Sequence, residues 1–463
     1  MKKAEITAFL SIVFVLLVSF VLGILEVCVI QTSKSMSRLT ADRAVFSVFG
    51  GYQSELFEDY HVFALDGSYG SGSFSEAALA GRLHYYGSPE ISHEITGIQY
   101  LTDNGGQAFR EQVLEYMEAK YGISLIREFT GLTQQWEDES IRGEEMEQEE
   151  KAAAAEIGLF MGEDAGQMEQ EAGGDPFTCL EQIEKTGVIS LVMPEDMALS
   201  GLRIRPEEQT SGRSLRTGYG SLPQRQGTDG LEERLLFNEY ILMNFSNAAG
   251  QTDESSGSGQ TRTLAYETEY ILSGKPSDKE NLESVLLKIF FIRMAANYLY
   301  LQGDSGKQAE AAVLAGVIAA VLMVPEAVEG IQQLILLAWA AGESVVDIRT
   351  LLSGKRAALI KNAETWRLPL SSLLTLGSSA EQLSADDAEG GISYEDYLRM
   401  FLFLGNTEEL TMRTLDRVEE NLSAEHGMDQ IKADQCITKL ELLNSTEIPG
   451  GITYMFPSYF GYR

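Results

Sequence analysis

Ile6 to Leu25 reads ITAFLSIVFVLLVSFVLGIL, 20 residues without a charge. As a helix it is about 30 Å long, one hydrocarbon thickness. Lys2 and Lys3 precede it, Glu26 follows, and Val27–Ile30 prolongs the apolar character. A cleaved signal peptide needs a short apolar region and a small-x-small site. The run here is long, and only Ser33-Lys34-Ser35 follows as a poor site. An uncut signal anchor fits best, with Ile6, Phe9, Leu10, Val13, Leu17, Phe20 and Leu25 facing lipid. Basic residues flank both ends (Lys34, Arg38 and Arg43 follow), so local charge does not orient the helix. Long domains translocate largely regardless of charge. The expected topology is N-terminus cytoplasmic, single pass, bulk outside the cell.

Downstream, Met36, Leu39, Phe46, Phe49, Leu56 and Tyr60 recur at helical spacing. The membrane helix is expected to run on to about Tyr60 as an amphipathic stalk within 31–65. Gly50-Gly51 is a candidate kink, because each interior glycine costs about 1 kcal/mol. The stripe suits packing on the chain's own globular part or docking on a partner. Two later apolar runs, Ala311–Val324 and Ile331–Ala341, are 14 and 11 residues long, too short to span. Pro325 and Glu326 separate them, so a buried helical hairpin is expected.

The rest reads as predominantly α with minor β. A small α+β segment occupies 66–133, with a strand at Ile91–Leu101 and a helix at Gln107–Tyr121 opened by the turn Asp103-Asn104-Gly105-Gly106. Between Glu137 and Glu171 lie 13 acids and two bases. Residues 134–174 are therefore expected to form a solvated acidic helical arm. A helical α+β head fills 175–463, with flexible loops near 201–230 and 246–261. Leu264–Leu272 suits a strand or short helix. Ser277 and Ser393 open helices as caps. Ile431–Leu443 and Ile452–Tyr462 alternate as strands.

Composition bounds function more than it names it. Lys plus Arg number 35 against 69 Asp plus Glu, a net charge of −34. That field repels phosphate backbones and excludes nucleic acid as a partner. Three cysteines exclude a disulfide scaffold, although Cys179 and Cys436 invite a pairing test. Arg203, Arg205, Arg213, Arg216 and Arg225 form the one basic stretch, suited to an acidic partner or to the acidic arm. No catalytic, cofactor or metal residue is singled out. Gly303-Asp304-Ser305-Gly306 copies the tetrapeptide of trypsin-like proteases but sits between helices without triad partners. The Gly-Lys pairs at 274 and 354 lack a phosphate-loop glycine. The four histidines, His61, His84, His93 and His426, have no ligand spacing. No small-molecule substrate is identifiable.

Several stretches carry a resemblance. They are the N-terminal pattern from AEITAFLSIVF to DGSYGSG, then YLTDNGGQAFREQVLEYM, LLFNEYILMNF, YETEYILSGKPSDKENLESVLLKIFFIRMAANYLYL, LILLAWAAGESVVDIRTLLSGKRAALIK and ISYEDYLRMFLFL. Together they resemble an uncharacterised family of Gram-positive (Firmicute) anaerobes, a domain of unknown function. The N-terminus is similar to the anchoring helix of TadE- and TadG-like pilus-assembly proteins. The resemblance implies a minor pseudopilin-like or assembly role, with protein partners in a tight-adherence pilus or secretion apparatus. One departure stands out. Pilin precursors of that class are cut before a segment whose fifth residue is Glu, whereas here Glu5 follows Ala4 directly. The alternatives are an extracytoplasmic ligand-binding or sensory ectodomain, its cleft rimmed by Arg203–Arg225 and Ser246–Thr261, and an extracellular hydrolase.

Overall fold

Helix α1, Lys2–Phe49, runs unbroken through the apolar segment and beyond it. At 1.5 Å per residue its 48 residues extend about 72 Å. The computed structural model describes residues 2–122, 131–161, 176–193, 199–225, 227–250, 262–373 and 386–462. The parts of the expected acidic arm beyond 161 and of the Ser/Gly loop from 251 to 261 lie outside these residues. The chain is predominantly helical with one small antiparallel sheet. It divides into two units, residues 1–116, 214–228 and 418–463, and residues 117–213 and 229–417.

The first unit holds α1, α2 (Ser54–Tyr60), β1 (Leu65–Asp66), α3 (Glu76–Tyr86), β2 (Ile91–Tyr100), β3 (Cys436–Ile448) and β4 (Ile452–Gly461). β3 is central, with β2 on one side and β1 and β4 on the other, all antiparallel. One sheet face presents Ile98, Tyr100, Leu440 and Leu442 to the core. Ala44, Val45, Val48 and Phe49 of α1 and Leu79 and Leu83 of α3 close over it. α1 does not reach Tyr60: it ends at Phe49, and α2 begins separately at Ser54. Gly50 and Gly51 supply the break, as two poor helix formers in succession. The expected stripe therefore divides. Met36, Leu39 and Phe46 are exposed, while Phe49, Leu56 and Tyr60 are buried in this unit.

The aromatic C-terminus is no loose tail. Phe460 stacks on Phe49 at 4.3 Å, and Tyr462 meets the same ring edge-on at 5.3 Å. Ser458 donates to Asp42 at 3.0 Å, and Arg38 donates to the Tyr454 hydroxyl. After β2, Asn104, Gly105 and Gly106 all take left-handed backbone, φ 52°, 63° and 77°. That run needs the glycines, because a β-carbon disfavours it. The helix α4 (Asp103–Tyr121) follows.

The second unit is helical: α5 (Thr133–Met161), α6 (Thr178–Thr186), α7 (Ile189–Val192), α8 (Leu231–Asn244), α9 (Glu267–Ser273), α10 (Asp278–Gly303), α11 (Ser305–Val321), α12 (Val328–Leu352), α13 (Leu370–Leu373) and α14 (Tyr394–Leu404). α15 (Thr407–His426) follows and carries the chain across the boundary. α10 and α12 are the centre of the core, and α11 with α12 forms the expected hairpin. α10, like α1, is long and apolar enough to cross a membrane, but more than half of its apolar stretch is buried within the protein.

The acidic segment is helical as expected but is not free in solvent. Trp136, Met146, Ala153 and Ile157 bury one face of α5, and these sparse apolar residues are masked in composition by the surrounding acids. Gly143 lies against Ile292, where an added β-carbon would come within 2.7 Å, so this glycine sets the approach of α5 to α10. Within Leu264–Leu272 the chain turns into helix α9 at Glu267, with buried Tyr266 at its N-cap and buried Tyr270 inside it. Ser277 caps α10 through the Glu280 amide, and Ser393 with Asp396 forms a full capping box on α14.

Candidate functional site

The charged residues inside apolar α10 and α12 converge. Arg293 of α10 and Asp347 of α12 are fully buried, and the guanidinium donates to Asp347 at 2.8 and 3.0 Å. Lys361, in the segment after α12, donates to Asp347 at 2.7 Å and to Glu343 at 2.6 Å. Asn297 donates to Asp347 and Ser344, both at 3.0 Å. The amides of Arg367 and Leu368 complete the shell of Glu343, and Arg293 also donates to the Ala358 carbonyl. Two acids and two bases are thus matched in a volume without water-like screening.

Burial pushes both carboxyls up, and their partners oppose it. At Asp347, Arg293 and Lys361 together outweigh burial and hold the carboxyl below its usual range. At Glu343, burial wins and leaves the carboxyl raised despite Lys361. The helical spacing of Glu343 and Asp347 places both on one face of α12.

A cleft of about 840 Å³ lies over this network, with Arg293 and Lys361 among its lining. Its walls come from α5 (Asp138, Glu139, Arg142), from α10 (Ile292 to Gly303), from Leu359–Lys361 and from Tyr397 of α14. Ile292, Ala295, Ala296 and Leu299 follow one face of α10, giving an apolar trough with a charged rim. Glu139 is raised by burial, against the pull of Gln135, Arg293 and Arg142. Tyr397 is buried beside Arg293, and its hydroxyl makes no well-aligned hydrogen bond. Volume, apolar walls and a few convergent polar groups are the attributes of a small-molecule site.

Next to the cleft, Gly303-Asp304-Ser305-Gly306 is a helix junction. Asp304 caps α11 by accepting from the Gly306 and Lys307 amides at 2.9 and 3.1 Å, and accepts from the Tyr300 hydroxyl at 2.8 Å. These bonds hold its carboxyl below the usual range. The Lys307 ammonium sits 4.5 Å from the Trp339 ring centre and 4.7 Å from that of Trp366.

Other expectations distribute as follows. Ile6, Phe9, Leu10, Val13, Leu17, Phe20 and Leu25 all remain exposed, by 39 to 67%. The arginines of 203–225 find local partners: Arg205 pairs with Glu208 at 2.6 Å, Arg203 with Glu280 at 3.7 Å, and Arg216 lies over Phe74. None lines the cleft, which the loops 201–230 and 246–261 were expected to rim. Cys179 and Cys436 are buried free thiols. Among the described residues one trio, Asp59, Glu425 and His426, has ligand atoms close together. Asp59 and His426 are joined as an ion pair at 2.7 Å. The available sequence signals were Arg293, a charge inside FFIRMAANYLYL, and Glu343 and Asp347 within apolar α12. Lys361 and Tyr397 lie in unremarkable contexts.

The model of a family of unknown function, DUF5702, matches residues 166–448, more than half of the chain. No curated protein and no solved structure matches.

Proposed function

The chain belongs to the DUF5702 family of unknown function, and from that premise we propose a membrane-anchored, surface-exposed structural or assembly protein of a Tad-like pilus or secretion apparatus. One observation carries this reading: α1 is a single helix whose first half is an exposed apolar rod and whose last turns belong to a folded core. An uncovered apolar surface of that length is costly in water and is matched by a bilayer. Residues 26–40 are helical, so no extended segment is offered to a signal peptidase. The protein is a tether and its cargo in one element, with the N-terminus cytoplasmic and the acidic body outside.

The test is cellular. The full-length protein should stay in membranes through alkaline carbonate, should be cut by protease added to intact cells, and should co-purify with apparatus proteins. Its deletion should reduce piliation or adherence. Unchanged piliation in the deletion strain rejects the assembly role, and a soluble form beginning beyond Ile30 rejects the anchor. A second reading, an extracytoplasmic ligand-binding ectodomain, is favoured by the cleft over Arg293 and Tyr397.

A further inference from the structure

Resting on that ligand-binding reading, we propose that the cleft along α10 receives a small aliphatic organic cation, its hydrocarbon body in the trough and its ammonium at the acidic rim.

The body is specified by the walls. Leu299 and Ile360, 66% and 81% exposed, line the cleft together with the small residues Ala295 and Ala296. Large apolar side chains grouped around a concavity in this way mark a binding surface.

The charge is specified by a balance. The lining contains three acids, Asp138, Glu139 and Asp304, and three bases, Arg142, Arg293 and Lys361. Two of the bases are already matched: Arg293 is held by Asp347, and Lys361 by Asp347 and Glu343. Asp304 is engaged by the Gly306 and Lys307 amides and the Tyr300 hydroxyl, which leaves Asp138 and Glu139 against Arg142 at the rim. An incoming anion would meet net repulsion, and a monocation net attraction.

The rim also has the aromatic chemistry that cations use. Tyr300 lines the cleft, donates to Asp304 and stands 5.3 Å from Trp366. Trp366 and Trp339 already accept an ammonium, that of Lys307, over their faces. The cluster therefore stabilises one cation of the chain itself and shares Tyr300 with the cleft.

The experiment compares three ligands of one shape and different charge: hexylamine, hexanol and hexanoate. Full-length protein with labelled Ile and Leu methyl groups, in lipid nanodiscs with empty discs as the blank, is titrated by NMR at about 0.15 M salt. Ile292, Leu299 and Ile360 should shift together. Hexylamine should bind at least about tenfold more tightly than hexanol, and hexanoate more weakly than both. In the double variant Asp138→Asn, Glu139→Gln the preference of amine over alcohol should fall several-fold, with hexanol affinity unchanged. Equal binding of amine and alcohol, or tightest binding of hexanoate, overturns the cation while leaving a ligand cleft. No shift at these methyls with any of the three overturns the cleft as a ligand site. Because wild-type protein alone decides these outcomes, a variant that fails to fold does not disable the test.

Discussion

Asp347 accepts from Arg293, Lys361 and Asn297 at once, so its removal strands buried Arg293 and leaves Lys361 with Glu343 alone. Breaking a buried pair from one side costs about 3–5 kcal/mol, because the remaining charge is neither hydrated nor compensated. Asp347→Ala should therefore lower the unfolding midpoint by more than any single apolar truncation at the rim of the same core. Thermal unfolding followed by circular dichroism measures this. A second residue-scale effect concerns Glu269, fully buried, where desolvation lifts the carboxyl to about 7 against the pull of the Ala248 amide and Tyr394. The folded state holds this proton more tightly than the unfolded chain. Its stabilising contribution is complete below about 4.5 and is lost as pH rises through about 7. Glu269→Gln keeps an acceptor without the charge. At pH 8 it should exceed the wild type in stability by about 1–3 kcal/mol, and at pH 4 it should match it. Denaturation midpoints across that range are the measurement.

At the scale of elements, legibility followed the strength of the local signal. The membrane-length run, the strand at 91–100, the caps Ser277 and Ser393 and the hairpin of α11 and α12 were all written in period, capping chemistry and length. The end of α1 was not, because a stripe at helical spacing survives on paper across Gly50 and Gly51 while the backbone does not. α9 was ambiguous because its two tyrosines suit either a strand or a helical turn. α5 was misjudged in its environment, since four buried apolar residues carry the packing of a helix whose composition is acidic. Element-level energetics can be checked where α1 crosses the sheet. Ala44 is wholly buried there, with the backbone at Gly87 close by. Ala44→Leu should destabilise the protein by about 1–3 kcal/mol through overpacking, read as a lowered denaturation midpoint. Ser393→Ala should cost about 1 kcal/mol through loss of the α14 cap.

At the scale of the whole molecule, the first unit is assembled from three separated stretches of chain, and the last strands join the first helix. Sequence order therefore hid this organisation: nothing local in Cys436–Ile448 names β2 as its partner. The candidate cleft was hidden for the same reason, since its lining comes from four places between 135 and 397. Only the charges within α10 and α12 announced it, because ions in apolar helices need partners. Deleting residues 452–463 should uncover Phe49 of α1. Amide hydrogen exchange at 41–49 should then speed up by an order of magnitude or more, while 6–25 in nanodiscs stays protected.

Because α1 meets β4 along residues 34–49, a pull on the N-terminal half of α1, if it is anchored as proposed, is delivered lengthwise to the carboxyl-terminal strand. Strand and helix must then slide past one another over several rings at once instead of unzipping one contact at a time. On that proposal the body bears load through α1 before it yields.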